Sequence, residues 1–289
     1  GSDAIDVVGV TTVAGNSTVE NTTRNAASIL TMAGRTDIPL AKGCHRPLVD
    51  SLSPAEWIHG ENGIRGDLPA PEVEPISAGA PEFIIDQSKK YGSELSLVAV
   101  GPLTNVAVAL VQEPALTKQI DSLVLMGGAA RTAGNKTPVA EANFHNDPAA
   151  ASHVLQDGEP KMVGLDVTND ATIAPDYRDR LADRSATAQT LATWFDYPPE
   201  IMDLTGESEG PAIHDAAAIA DLIDDVLTYE RHYATVDTTG GPSHGSVICD
   251  TSGVTGAAGN VDIATEIDVT SYRRTLEDSI DGFLKQCEH

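Results

Sequence analysis

Six short polar clusters stand where apolar, strand-like runs stop. They are Val10-Thr11-Thr12-Val13-Ala14-Gly15-Asn16, Ile58-His59-Gly60-Glu61-Asn62-Gly63, Gly101-Pro102-Leu103-Thr104-Asn105, Met126-Gly127-Gly128, Pro138-Val139-Ala140-Glu141-Ala142-Asn143 and Ile213-His214-Asp215. In an open α/β sheet, small ligands bind in the crevice at the carboxyl ends of the strands, so groups placed this way converge on one site. Amides, carboxylates and histidine suit a polyhydroxylated ligand and a hard cation better than nucleophilic attack.

His214-Asp215 is the sharpest of these signals, an imidazole beside a carboxylate at an expected helix start, between Gly210-Pro211 and an Ala-rich run. An Asp there also serves as an ordinary helix cap, and local sequence alone favours that role. Glu141 and Asn143, with Asn135 six residues before Glu141, read as alternating on an extended segment, which puts Glu141 and Asn143 on one face. Taken alone they are ordinary loop polar groups. Val100 has no ligating side chain; it packs in the core or offers its backbone carbonyl, and both roles can hold.

The elements that would position these groups alternate strand and helix. Residues 5–13 read as a buried strand, 17–32 as a helix closing at Gly34, and 38–41 as a strand in which Pro39 suggests an edge. A long Pro- and Gly-rich connection, 42–77, carries Trp57 and His59 and reads as a functional wall with room for short helices. Helices follow at 81–91 and 104–111, strands at 95–100, 122–126 and 162–167, and Asp147-Pro148 opens a helix through 155. Helical stretches occupy 176–195, Asp215 starts another helix, 233–236, 247–249 and 261–264 look like late strands, and 271–284 like a closing helix. The fold expected is α/β, an open, mainly parallel sheet with helices on both faces, Rossmann-related and within one domain over 1–289.

The order and wording of the clusters resemble the inosine/uridine-preferring nucleoside hydrolase family over residues 5–282. The resemblance implies hydrolysis of the N-glycosidic bond of ribonucleosides to free base and ribose, a calcium ion, and a homo-oligomer, dimer or tetramer. It implies that His214 protonates the departing base and that Asn16, Asn135, Glu141, Asn143 and Asp215 hold the ribose. His59 would lie at the nucleobase end, and Asp215 and the Val100 carbonyl would ligate the metal. Calcium takes 6 to 8 oxygens, more than those two groups provide. The family's opening strand ends in an Asp-rich D-x-D-P-G-x-D-D loop that supplies further ligands and the general base, and no such segment precedes Val10. The expectation is therefore a chain lacking its first β-α unit, with impaired hydrolysis.

Two other classes compete. If the protein truly begins near Gly1, it would be a non-catalytic nucleoside- or ribose-binding protein. Gly241-Pro242-Ser243-His244-Gly245 matches the G-x-S-x-G elbow of serine hydrolases, but that motif needs a strand before and a helix after, and Ser246-Val247-Ile248-Cys249 reads as strand. Only His289 follows His244 as a catalytic histidine in the right order, so the match reads as chance.

The charge of -25, from 43 acidic and 18 basic residues over 289, is dispersed rather than gathered in a tail. Nucleic acid is excluded as a partner, because phosphate binding needs clustered Lys and Arg. No apolar run approaches the ~18 residues of a membrane span. Three scattered cysteines, Cys44, Cys249 and Cys287, argue against a disulfide framework and for a reducing cytoplasm. The dispersed acidity reads as the solvated surface of a halophilic protein, whose self-repulsion relaxes when salt screens it. The melting temperature should accordingly rise across a series from low to molar salt; a midpoint that stays level or falls contradicts this.

Overall fold

A computed structural model describes residues 1–196 and 211–287. Its main sheet has six strands in the order β3-β4-β5-β8-β6-β7: β3 (Ser96–Ala99), β4 (Ser122–Met126), β5 (Lys161–Val163), β8 (Val261–Ile267), β6 (Leu227–Val236) and β7 (Val247–Asp250). β3, β4, β5 and β8 run parallel, while β6 pairs antiparallel with both β8 and β7. A separate parallel pair joins β1 (Val10–Thr11) to β2 (Leu40–Ala41).

The sequence of β4 shows why this sheet is covered on both sides. Leu123 and Leu125 belong to one apolar cluster and Val124 and Met126 to another, as alternation along a strand requires. The first cluster takes its other half from α3 (Ala80–Tyr91), α4 (Thr104–Gln112) and α7 (Pro148–Asp157). The second draws on α8 (Leu165–Thr168), α11 (His214–Asp224) and α12 (Val269–Cys287), where Ala217 and Ala218 are small enough to bring α11 close. α9 (Pro175–Leu181) and α10 (Ala186–Trp194) pack on Ile280 and Leu284 of α12. The remaining helices are α1 (Val19–Met32), capped by Thr18, and the short α2 (Glu56–His59), α5 (Leu116–Gln119) and α6 (Ala142–Asn146).

Three expected strands differ from those observed. The strand read at 5–13 is reduced to Val10–Thr11, because among the described residues β1 has a ladder partner only in the two residues of β2; Ile5 and Val7 are not buried. The strand read through 167 stops at Val163, where Gly164 caps α8 and Leu165 donates its N–H to the Gly128 carbonyl at 2.9 Å. The strand read at 233–236 begins at Leu227: its polar residues Glu230, Arg231 and His232 hid an antiparallel strand that is only partly covered. The helix at Asp147-Pro148 forms as expected and runs to Asp157.

Asp147 ties three parts of the chain together. Its Oδ1 accepts from Ala150 N–H at 3.0 Å, capping α7, while Oδ2 accepts from the Thr104 hydroxyl at 2.6 Å and Leu48 N–H at 3.0 Å. The residue is 0% exposed. Asp147→Ala loses the cap and leaves the buried Thr104 hydroxyl and the part-buried Leu48 N–H without this acceptor, so urea unfolding should show a loss of about 3 kcal/mol. A loss below about 1 kcal/mol would mean that these bonds are replaced by water.

Candidate functional site

A cleft of about 320 Å³ opens at the carboxyl ends of β3 and β4. Val100 follows β3, Met126 ends β4, Asn16 stands beyond β1, and the starts of α6 and α11 complete the walls. All eight residues singled out in the sequence line it: Asn16, His59, Val100, Asn135, Glu141, Asn143, His214 and Asp215. Val100 is 40% exposed, so its expected part in core packing is corrected to a place on the cleft wall.

Glu141 and Asn143 share the cleft, but not by strand alternation. Glu141 is the N-cap of α6 and Asn143 lies in its first turn. The Glu141 Oε1 accepts from Asn143 N–H at 2.8 Å, and Oε2 from Gly128 N–H at 2.9 Å and Phe144 N–H at 3.1 Å. Gly128 must be glycine: its φ is +81° and a Cβ would meet Met162 Sδ and Val247 Cγ2 at 3.0 Å. Burial pushes the Glu141 carboxyl above its ordinary pKa despite these three donors. Asn143 donates Nδ2–H to the Met126 carbonyl at 3.1 Å, and the Asn135 Oδ1 accepts from Ala142 N–H at 3.0 Å. The three residues are thus fixed by backbone before any ligand arrives.

His214 and Asp215 open α11, which has Ile213 at its N-cap position, so Asp215 is not the cap that local sequence favoured. The Tyr272 hydroxyl donates to the Ile213 carbonyl at 3.2 Å and Ala212 bridges to Thr172, whose carbonyl accepts from Arg273 at 3.0 Å. The His214 Nδ1 lies 2.8 Å from the Thr168 hydroxyl, which sets the ring's orientation. Asp215 reaches water through the cleft but is otherwise surrounded by protein, and this desolvation pushes its carboxyl up to about 6, opposed by His214 and reinforced by Glu141. His59 is held below its ordinary pKa by burial and, secondarily, by the Arg65 charge.

The cleft also holds residues the sequence reading passed over. Asn146 lies one turn after Asn143 on the same helix, and Asn169 follows α8 near a strand end; the rule of polar groups at strand ends could have found the latter. Lys136 sits beside Asn135 and donates to the Ser53 carbonyl at 3.2 Å. Trp194 and Phe195 join Trp57, already noted in the 42–77 connection, in lining the cleft; in a chain with only two Trp, scarcity was the available signal for Trp194.

Asp215 and Val100 are the metal ligands expected among these residues, and among the described residues no group of three or more His, Cys, Asp or Glu could hold a metal ion. One carboxylate and one carbonyl do not make the oxygen shell of calcium, so the residues present do not fit that ion. The Ser243 motif fails as an elbow. It lies in the turn of the β6–β7 hairpin, Ser243 donates to Asp237, and His244 Nδ1 accepts from Gly240 N–H while its Nε2 is 3.2 Å from Asp50. The group that accepts from that hydroxyl is the Asp237 carboxylate and not a histidine; His289 and Gly210 lie outside the described residues.

A crevice of fixed amides and carboxylates with aromatic rings at one end, at the head of a mainly parallel sheet, defines an α/β protein for a polyhydroxylated ligand that carries a flat ring. Residues 1–274 match the inosine-uridine preferring nucleoside hydrolases, and the chain belongs to that family. It is a ribonucleoside hydrolase, an N-glycosyl hydrolase of a family that is generally metal-dependent. It is 37% identical over 291 residues to a pyrimidine-specific ribonucleoside hydrolase of Shewanella woodyi, covering 98% of this chain and 92% of that protein. It is likewise 37% identical over 245 residues to a probable uridine nucleosidase 2 of Arabidopsis thaliana, covering 83% and 76%. A purine-preferring ribonucleoside hydrolase from Gardnerella vaginalis superposes with a TM-score of 0.90 at 30% identity, covering 98% of this chain and 92% of that one.

The Asp215 carboxyl has a testable linkage to pH. Its folded pKa of about 6 lies above the ordinary 3.8, so between those values the unfolded chain gives up a proton that the folded one keeps. Stability is lost as pH rises through that window. In chelator-treated protein, Asp215→Asn should therefore gain stability relative to the parent as pH goes from about 4 to about 7. A gap between the two that stays constant or shrinks contradicts the raised pKa.

Proposed function

We propose that the cleft divides the hydrolysis of a ribonucleoside between two walls. Asn16, Asn135, Glu141, Asn143 and Asp215 hold the ribose hydroxyls, a task that needs donors and acceptors side by side. His214 gives a proton to the base nitrogen as the C1′–N bond breaks and its electron pair leaves with the base. Water supplies the new C1′–O bond. As the ribose ring gains positive charge, the carboxylates of Glu141 and Asp215 favour that state over the neutral substrate. His59 meets the base at the end walled by Trp57, Trp194 and Phe195, where stacking area is available.

The observation that carries this reading is the placing of His214, oriented by Thr168, in one cleft with the backbone-anchored Glu141 and Asn143. Calcium is the ion the family resemblance suggests, with Asp215 and the Val100 carbonyl toward it; since the residues present do not complete its shell, no step above runs through it. Relatives act on purine and on pyrimidine nucleosides by their descriptions, and both bases belong in the assay. A reducing, cytoplasmic setting fits three scattered cysteines that form no disulfide, and a homo-oligomer is what the family resemblance suggests.

Binding without turnover is the competing reading. One experiment separates the two. His214→Ala should slow cleavage of inosine about 10²–10⁴-fold while slowing p-nitrophenyl riboside far less, because that leaving group needs little protonation. Equal losses on both substrates would remove the acid role from His214. A parent chain that binds inosine and cleaves neither substrate would establish the binding reading.

A further inference from the structure

The residues that run on from α2 form a bridge between two parts of the molecule. The first half of the loop is anchored to α1: Asn21 donates Nδ2–H to the Glu61 carbonyl at 3.2 Å and Asn25 to the Asn62 carbonyl at 2.8 Å. Gly63, with φ +73°, lies so near Ser17 that a Cβ would come within 2.5 Å of the Ser17 Cβ. The second half is anchored to the end of α10. Arg65 Nη1 donates to the Asp196 carbonyl at 2.8 Å and Nη2 to the Trp194 carbonyl at 3.2 Å, and the Trp194 indole N–H returns a bond to the Arg65 carbonyl at 3.0 Å. The last carbonyls of a helix lack partners within it, and a cation there is further favoured by the helix dipole. The Trp194 carbonyl is such a group and the Asp196 carbonyl lies just past the helix end; a planar guanidinium fork holds both at once.

Trp194 and Phe195 line the cleft, as do Trp57 and His59 just before this loop, while Arg65 itself does not line it. We propose that Arg65 is a positioning residue for the nucleobase: by strapping the 60–66 loop to the end of α10 it holds the Trp194 wall against the Trp57–His59 wall. The strap sets the affinity for the flat ring and leaves the ribose contacts untouched, since Glu141, Asn143 and Asn135 are fixed by α6 and β4 instead. This inference rests on the reading of the cleft as a ribonucleoside site.

Trp57 and Trp194 are the only tryptophans of the chain, so intrinsic fluorescence reports on this end of the cleft without a label. The test compares the parent, Arg65→Ala and Arg65→Lys in two measurements: the emission maximum without ligand, and equilibrium titrations with inosine, presented as a C-nucleoside analogue whose C1′–C bond resists hydrolysis, and with ribose. In Arg65→Ala the emission should move to longer wavelength as Trp194 is released to water. Its inosine Kd should weaken about tenfold, the size of one lost aromatic contact, with the ribose Kd unchanged. Arg65→Lys should fall between, because an ammonium holds one carbonyl where the guanidinium holds two; it carries the same test if Arg65→Ala does not fold. An unchanged inosine Kd, or inosine and ribose weakened by one factor, overturns the proposal. If the parent binds neither ligand, the ribonucleoside reading fails by itself, and the strap is judged on emission: a shift in Arg65→Ala supports it and an unmoved maximum overturns it.

Discussion

The cleft depends on one buried carboxylate. Glu141 is 2% exposed, and an ion so placed costs several kcal/mol unless its lone pairs are taken up. Three backbone N–H groups take them up, two from the first turn of α6 and one from Gly128 just beyond β4. The requirement works in both directions: the helix start needs an acceptor for its orphan donors, and the carboxylate needs donors. Meeting both fixes α6 against the sheet and forces glycine at 128. That the carboxyl is still raised above its ordinary pKa shows that the three bonds do not fully offset desolvation. In the proposed reaction, a ribose that gains positive charge would relieve this deficit.

Around that point the site is distributed over elements far apart in sequence. α11 brings His214 and Asp215, and is itself held by Tyr272 and Arg273 of α12 through Ile213 and Thr172. The opposite wall hangs from the loop between α2 and α10, while the two carboxylates lie close enough that Glu141 raises the pKa of Asp215. The geometry of the cleft is a product of tertiary packing on both faces of the sheet, in which Glu141, Asn143 and Asn135 are held by bonds with backbone groups and Trp194 by its contacts with Arg65.

What the sequence made legible follows from which forces are local. The all-apolar run of β4 announced a strand covered on both faces, and Asp147-Pro148 announced a helix start, because burial pattern and capping act over a few residues. The site residues were legible as polar groups at strand ends, and the cleft gathers them. Their local geometry was not: Glu141 and Asn143 looked like alternating strand residues because nothing nearby shows that Gly128, thirteen positions earlier, needs an acceptor. β6 was underread because its polar residues mark partial exposure rather than a loop. Trp194 offered only its scarcity as a signal, since its indole bonds to the Arg65 carbonyl, 129 positions away. The Ser243 motif could be set aside from sequence, because the strand-like residues 246–249 that follow it belong to a hairpin and not to a helix.

The central claim is that ribose lies on the Glu141 side of the cleft and the base between the aromatic walls. The most direct measurement is a crystal structure of the protein with a bound, slowly cleaved ribonucleoside analogue. The account predicts ribose hydroxyls within hydrogen-bonding distance of Glu141, Asn143 and Asp215, the base between Trp57 and Trp194, and the His214 ring beside the leaving nitrogen. A ligand bound elsewhere, or one that turns its base toward Glu141 and its ribose toward the tryptophans, would contradict it.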